Sequence, residues 1–135
     1  HREPDAAAFA GGWFRTGDLA RLDAAGYFHI VGRLSDRIIS GGENIDPAEV
    51  EAVALTNPAV AEAAVFGVAD PHWGEVPVLV LVLRPGVALD RQRLRLAFEA
   101  QLARFKQPRR VIVVDVLPKT ALGKVKKDEL ARRLS

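Results

Sequence analysis

Val78-Leu79-Val80-Leu81-Val82-Leu83 is apolar at every position and alternates β-branched valine with leucine. β-Branched residues favour the extended chain, and a strand apolar at every position must be covered on both faces. The stretch predicts a strand over Val76–Leu83, central in its sheet, ended by Pro85-Gly86. Val60–Val68 reads as a second strand. Arg109–Val116, carrying Val111, Ile112, Val113 and Val114, reads as a third.

Helices alternate with these strands. Asp46-Pro47-Ala48-Glu49 is a helix start, with Asp46 as N-cap, Pro47 at the first turn and Glu49 placed to reach back. Val50, Val53 and Ala54 form its buried face, and Asn57-Pro58 stops it. Asp90 caps a second helix whose Leu94, Phe98 and Leu102 recur at i, i+4 and i+8. Asp128–Leu134 predicts a final short helix with Leu130 and Leu134 inward. Nearer the start, Leu19–Asp23 and Tyr27–Val31 flank Ala24-Ala25-Gly26 and predict a β-hairpin. The fold class is α+β: a small β-hairpin followed by a three-stranded sheet packed with helices.

At 135 residues the chain is long enough for one domain with a real core, since about two-thirds of the unfolded surface is buried at that size. Cysteine is absent, which excludes disulfides, thiolate metal sites and a cysteine nucleophile. His1, His29 and His72 are scattered and offer no metal spacing. No apolar run approaches the ~20 residues of a membrane span, and no signal peptide is visible, so a cytoplasmic location is the expectation. The sequence opens on His1-Arg2-Glu3-Pro4 without an initiator methionine, as expected of an excised part of a longer protein. The 19 basic and 17 acidic residues leave a formal charge of +2, weak support for nucleic-acid binding. Basic residues dominate from Arg91 onward, and such a region can serve a polyphosphate.

Chemistry concentrates in Pro118-Lys119-Thr120-Ala121-Leu122-Gly123-Lys124. A lysine after a glycine, on a loop entered by proline, presents a flexible cation with three donors to an oxyanion. A phosphate-binding P-loop is excluded. It needs a glycine where Pro118 stands and a Ser or Thr where Val125 stands. Upstream, Ser40-Gly41-Gly42 offers two adjacent glycines, fit for positive φ or close approach of backbone to a ligand. Trp13 and Trp73 read as packing residues.

Three motifs then fall in order: Arg15-Thr16-Gly17-Asp18, Gly32-Arg33 through Ser40-Gly41-Gly42-Glu43-Asn44-Ile45, and Pro118 through Lys124. Together they resemble the C-terminal part of the adenylate-forming (AMP-binding) enzymes, especially acyl-CoA synthetases (fatty-acid–CoA ligases), from Gly12-Trp13 to Leu134. The resemblance implies two parts: residues 1–34 as the end of a large N-terminal AMP-binding domain, and 35–135 as a small mobile C-terminal lid. It implies an AMP-forming acid–thiol ligase that joins a carboxylic (fatty) acid to the α-phosphate of ATP and passes the acyl group to CoA. Mg2+ would be bound mainly by the other domain, and the isolated part would be inactive.

Site residues follow from the same resemblance. Lys124 is implied to bridge carboxylate and phosphate oxygens during adenylation, and to be open to silencing by acetylation. Asp18 and Arg33 are implied to contact the ATP ribose. The pivot between half-reactions falls on Ser35 with neighbouring Asp36; relatives usually carry Asp or Lys at the first of these, so Ser35 departs from the pattern. Gly41, Gly42 and Glu43 resemble the lining of the pantetheine tunnel. Phe105 is implied to stack on the CoA adenine, and Lys106 or Arg109 to meet its phosphates. Two other readings remain. One is an adenylation domain that loads a carrier-protein thiol, although Ile39–Ile45 looks more like the CoA ligases. The other is a non-catalytic basic binding module, disfavoured by the near-neutral charge and the lack of interleaved aromatics.

Overall fold

The computed structural model describes residues 9–10, 13–14, 18–22, 24–25, 28–33 and 36–134, the strands before Asp36 through their backbone. The chain divides into two compact units between Asp36 and Arg37. In the first, β1 (Phe9–Ala10) pairs antiparallel with β2 (Trp13–Phe14). The expected hairpin is β3 (Asp18–Leu22) against β4 (Phe28–Arg33), with a register shift between Leu19 and Ala20.

The second unit contains β5 (Ile38–Ser40), β6 (Glu43–Ile45), α1 (Pro47–Leu55), β7 (Val60–Asp70), β8 (Gly74–Leu83), α2 (Arg91–Gln101), β9 (Arg110–Val113) and α3 (Lys127–Leu134). The sheet has five strands in the order β6-β5-β8-β7, with β9 also along β8. The pairs β5–β6, β5–β8 and β7–β8 are antiparallel; β9 runs parallel to β8, from Val78↔Arg110 to Leu81↔Val113. Three of these strands answer the expected sheet. The other two, β5 and β6, are three residues each, too short to show a period of two. Gly41 and Gly42 join them with φ of +56° and +82°. Positive φ at both central residues is what a two-residue I′ hairpin turn demands.

The β8 stretch is central, as its composition requires. Alternate side chains feed two separate cores. Leu79 and Leu81 join Ile38, Ile45 and Val65 beneath α1 and α2, which contribute Val50, Val53, Ala54, Leu94 and Phe98, with Leu102 just after α2. Val78 and Val80 join Ala64 and Phe66 beneath Leu117 and Leu130 of α3.

Both N-caps form as read. Asp46 Oδ1 accepts from Ala48 N–H at 3.0 Å, and Asp90 Oδ1 from Arg93 N–H at 3.1 Å. Glu49 does not complete a capping box. Its carboxylate instead accepts both 2.9 Å and 3.2 Å bonds from Lys106 Nζ. A charged donor outcompetes the neutral amide that the box offers. β9 is shorter than its sequence run, and Arg91 Nη1 donates to its Val111 carbonyl at 3.2 Å.

Leu81 is fully buried, so Leu81→Ala is expected to cost about 2–5 kcal/mol of unfolding free energy. Leu96 on α2 is 51% exposed, so Leu96→Ala is expected to change it by less than about 0.5 kcal/mol. Urea denaturation followed by far-ultraviolet circular dichroism measures both.

Candidate functional site

The motif Pro118–Lys124 folds into a closed turn. Thr120 N–H donates to the Lys124 carbonyl at 2.7 Å, and Gly123 N–H to the Thr120 carbonyl at 2.9 Å. Lys124 N–H returns to Thr120 Oγ1 at 3.2 Å. Gly123 has φ +86°, which explains the glycine before the lysine. Just outside, Lys119 and Val125 form an antiparallel bridge, and Lys126 N–H donates to the Pro118 carbonyl at 2.8 Å.

The feet of this turn are anchored. Leu117 is buried in the second core and Val125 packs against it. The Lys119 ammonium pairs with Glu62 on β7, and Lys127 pairs with Glu51 on α1 at 3.1 Å. Ala121, Leu122, Gly123 and Lys124 themselves are exposed. The result is a lysine held out in solvent on a built base, able to reach an oxyanion that another surface presents.

A second feature occupies the other end of the β7–β8 hairpin. An open cleft of about 610 Å³ is lined by Ser40, Gly41 and Glu43 of the β5–β6 hairpin, by Trp73, and by Arg104, Phe105, Gln107, Pro108 and Arg109. The Gly41 N–H donates to the Trp73 carbonyl at 2.8 Å, tying the two hairpin tips together. The Arg109 guanidinium sits 5.8 Å from the Trp73 ring centroid, within cation–π range. Phe105 is half-buried and also packs against the first core. Gly41 allows the close approach. A Cβ there would lie 2.8 Å from Trp73 Cε3.

Asp70 sets the tip that carries Trp73. Its Oδ1 accepts from His72 N–H at 2.8 Å and Trp73 N–H at 2.9 Å. These bonds, the Trp73 one first, hold its pKa below the ordinary 3.8, helped by the nearby His72 and Arg109 charges.

Of the residues singled out from sequence, Gly41, Glu43, Phe105 and Arg109 meet at this cleft. Gly42 stands in the same turn, facing open space. Lys106 is engaged by Glu49 on α1. Asp18 and Arg33 are directly opposite each other in the β3–β4 register. Asp36 is the last residue of the first unit, and Ser35 lies outside the described residues. Trp73, read as packing, is 42% exposed and lines the cleft. Its position was available in the sequence. Asp70-Pro71-His72-Trp73-Gly74 is turn chemistry between two strands, and a ring at a hairpin tip cannot reach a core. Arg104 was the other omission.

Glu62 and Asp70 are eight residues apart on one strand, about 26 Å at strand rise. The Lys124 turn is tethered near one end of it, and the cleft opens at the other. Two aromatic rings, two guanidiniums and a glycine hairpin fit an anionic ligand that carries a flat ring. Lys124 fits an oxyanion alone.

Residues 49–124, more than half of the chain, match the family model described as the AMP-binding enzyme C-terminal domain. The chain belongs to this family. It is 47% identical over 128 residues to an indoleacetate–CoA ligase of Aromatoleum aromaticum, covering 95% of this chain and 25% of that protein. A feruloyl-CoA synthase of Amycolatopsis is also 47% identical, over 131 residues, covering 97% of this chain and 27% of the relative. An o-succinylbenzoate CoA synthetase of Bacillus subtilis, solved with its acyl-adenylate intermediate, superposes with a TM-score of 0.81 at 47% identity, over 92% of this chain and 25% of that one. The chain spans about a quarter of the length of the curated relatives it matches.

Two substitutions separate strain from contact. Gly41→Ala and Gly42→Ala each place a Cβ at positive φ, at about 1–2 kcal/mol. Only Gly41→Ala displaces the Trp73 ring. In a Trp13→Phe background, indole emission is expected to shift in the first and stay unchanged in the second.

The acid response of the Asp70 turn has a definite sign. Because the folded pKa lies below 3.8, the stabilisation is complete above that value and is lost as pH falls through the folded pKa. The His72 ring lies 4.5 Å from that of Trp73, so with His72→Gln added to the same background Trp73 emission is expected to hold from neutral pH down to about pH 4 and to change below it. Asp70→Asn should remove that acid transition.

Proposed function

We propose that residues 35–135 are the small mobile lid, and residues 1–34 the end of the large domain, of an ATP-dependent acid–thiol ligase, which adenylates a carboxylic acid and then transfers the acyl group to CoA. The observation that carries this reading is the placing of two different anion-binding features at opposite ends of one hairpin. A single rigid body with ends about 26 Å apart can bring only one of them to a given active site at a time. A reaction in two steps uses such a body by turning it.

In the first step, Lys124 neutralises charge where the carboxylate meets the α-phosphate. An ammonium about 4 Å from a unit charge contributes roughly 4 kcal/mol at an effective dielectric near 20, on the order of a thousandfold in rate. Asp18 and Arg33, opposite in their hairpin, receive the ATP ribose. Acetylation of Lys124 would remove its charge and stop this step.

In the second step, Gly41, Gly42 and Glu43 border the pantetheine arm. Trp73 and Phe105 flank the adenine, and Arg104 and Arg109 take the phosphates. Arg104 replaces Lys106 in this role, because Glu49 holds that ammonium. Mg2+ accompanying ATP is assigned mainly to the rest of the enzyme, as the motif resemblance implies. The acid is proposed as an aromatic carboxylate, on the names of the relatives; a fatty acid is the alternative from the motif resemblance.

In the full-length enzyme, Lys124→Ala is expected to lower acid-dependent pyrophosphate exchange about a thousandfold. CoA transfer from supplied acyl-adenylate should stay within a few-fold of wild type. Arg104→Ala with Arg109→Ala is expected to do the reverse and to raise KM for CoA. Undiminished exchange in Lys124→Ala would overturn the reading. Faster transfer to a holo-carrier protein than to CoA would reassign the acceptor.

A further inference from the structure

The exposed turn raises a question that the role of Lys124 leaves open. No packing aims the lysine, because Ala121, Leu122, Gly123 and Lys124 are all exposed, Leu122 by 89%. A four-carbon side chain on a loose turn would sample many directions, and ordering it at the moment of reaction would cost conformational entropy. The backbone beneath it must therefore be fixed beforehand if the ammonium is to act as a preorganised charge.

We infer that Thr120 is the positioning residue for Lys124. Its main chain and side chain both engage the same residue four positions on. The amide donates to the Lys124 carbonyl at 2.7 Å, and the hydroxyl accepts the Lys124 amide at 3.2 Å. The Lys124 peptide groups on both sides of its Cα are thus clasped by one residue. Threonine suits this role better than serine's freer rotor, since its β-branch restricts χ1. The clasp stands on fixed ground: Lys119 beside it is paired with Glu62, Lys119 bridges to Val125, and Leu117 is buried at 2% exposure. The hydroxyl touches no reacting atom in this scheme. It fixes the direction in which Lys124 leaves the turn.

This inference rests on the proposed part of Lys124 in adenylation. The test uses the full-length enzyme with Thr120→Val, which keeps shape and main chain but removes the acceptor, alongside Thr120→Ser and Lys124→Ala. Thr120→Val is expected to lower kcat for pyrophosphate exchange about tenfold, the size of one hydrogen bond's worth, with KM for ATP within about twofold. CoA transfer from supplied acyl-adenylate should be unchanged, Thr120→Ser, which keeps the acceptor but not the restricted χ1, should retain most of the exchange, and deuterium uptake at the Lys124 amide should rise most in the valine variant. Wild-type exchange in Thr120→Val beside a crippled Lys124→Ala would overturn the positioning role and leave the lysine's role standing. Equal loss of both half-reactions in Thr120→Val would also overturn it, by showing general damage. Full exchange in Lys124→Ala would sink the lysine's role, and that of Thr120 with it.

Discussion

A strand that is apolar on both faces is stable in water only between two covering layers, and β8 is such a strand. Everything in the second unit answers that requirement. Leu79 and Leu81 call for α1 and α2 on one side; Val78 and Val80 call for α3 and Leu117 on the other. Full burial of side chains of that size stabilises by about 1.5–3 kcal/mol each, so neither layer is dispensable. The Lys124 turn follows from the second layer. The chain must cross from β9 to α3 to close that face, and the crossing carries Lys124.

The sequence made the long elements legible and hid the short ones. Unbroken Val/Leu composition marks β8 as central, and Asp46 and Asp90 mark helix starts, because these are local effects of strand burial and N–H capping. The β5–β6 hairpin was hidden, since three-residue strands carry no period and the glycine pair admits two readings. Its place in the sheet is set by a distant partner, through the pairing of Ser40 with Gly74. Capping failed where tertiary charge intervened: Glu49 was read as a local acceptor and became the partner of Lys106, a residue 57 positions away.

The same limit applies to the site. Basic loop tips are common, so the motif around Lys124 stood out only in company with the two motifs upstream of it. Gly41, Glu43, Phe105 and Arg109 were found by motif resemblance, and the fold gathers them around one cleft. Trp73 was misjudged because a tryptophan's bulk argues for a core unless its turn context is weighed. Arg104 is invisible without the fold, since only the short 3-10 turn Arg104–Lys106 separates the cleft-lining arginine from the lysine that α1 captures.

The parallel pairing of β8 with β9 bears on the order in which the molecule assembles. The β5–β6 and β7–β8 hairpins close through neighbouring residues, while β9 can register on β8 only after α2 has returned the chain. Contacts of long sequence separation are slow to form because loop closure must precede them. The layer built from Leu117 and α3 comes after β9 in the chain and covers the face to which Ile112 of β9 contributes. The Lys124 turn therefore has its feet in contacts of long sequence separation, Lys119 with Glu62 and Lys127 with Glu51. A chain ending before residue 117 would lack Leu117 and Leu130 and leave Ala64, Phe66, Val78 and Val80 without their cover, so the sheet itself would lose one of the two layers it needs.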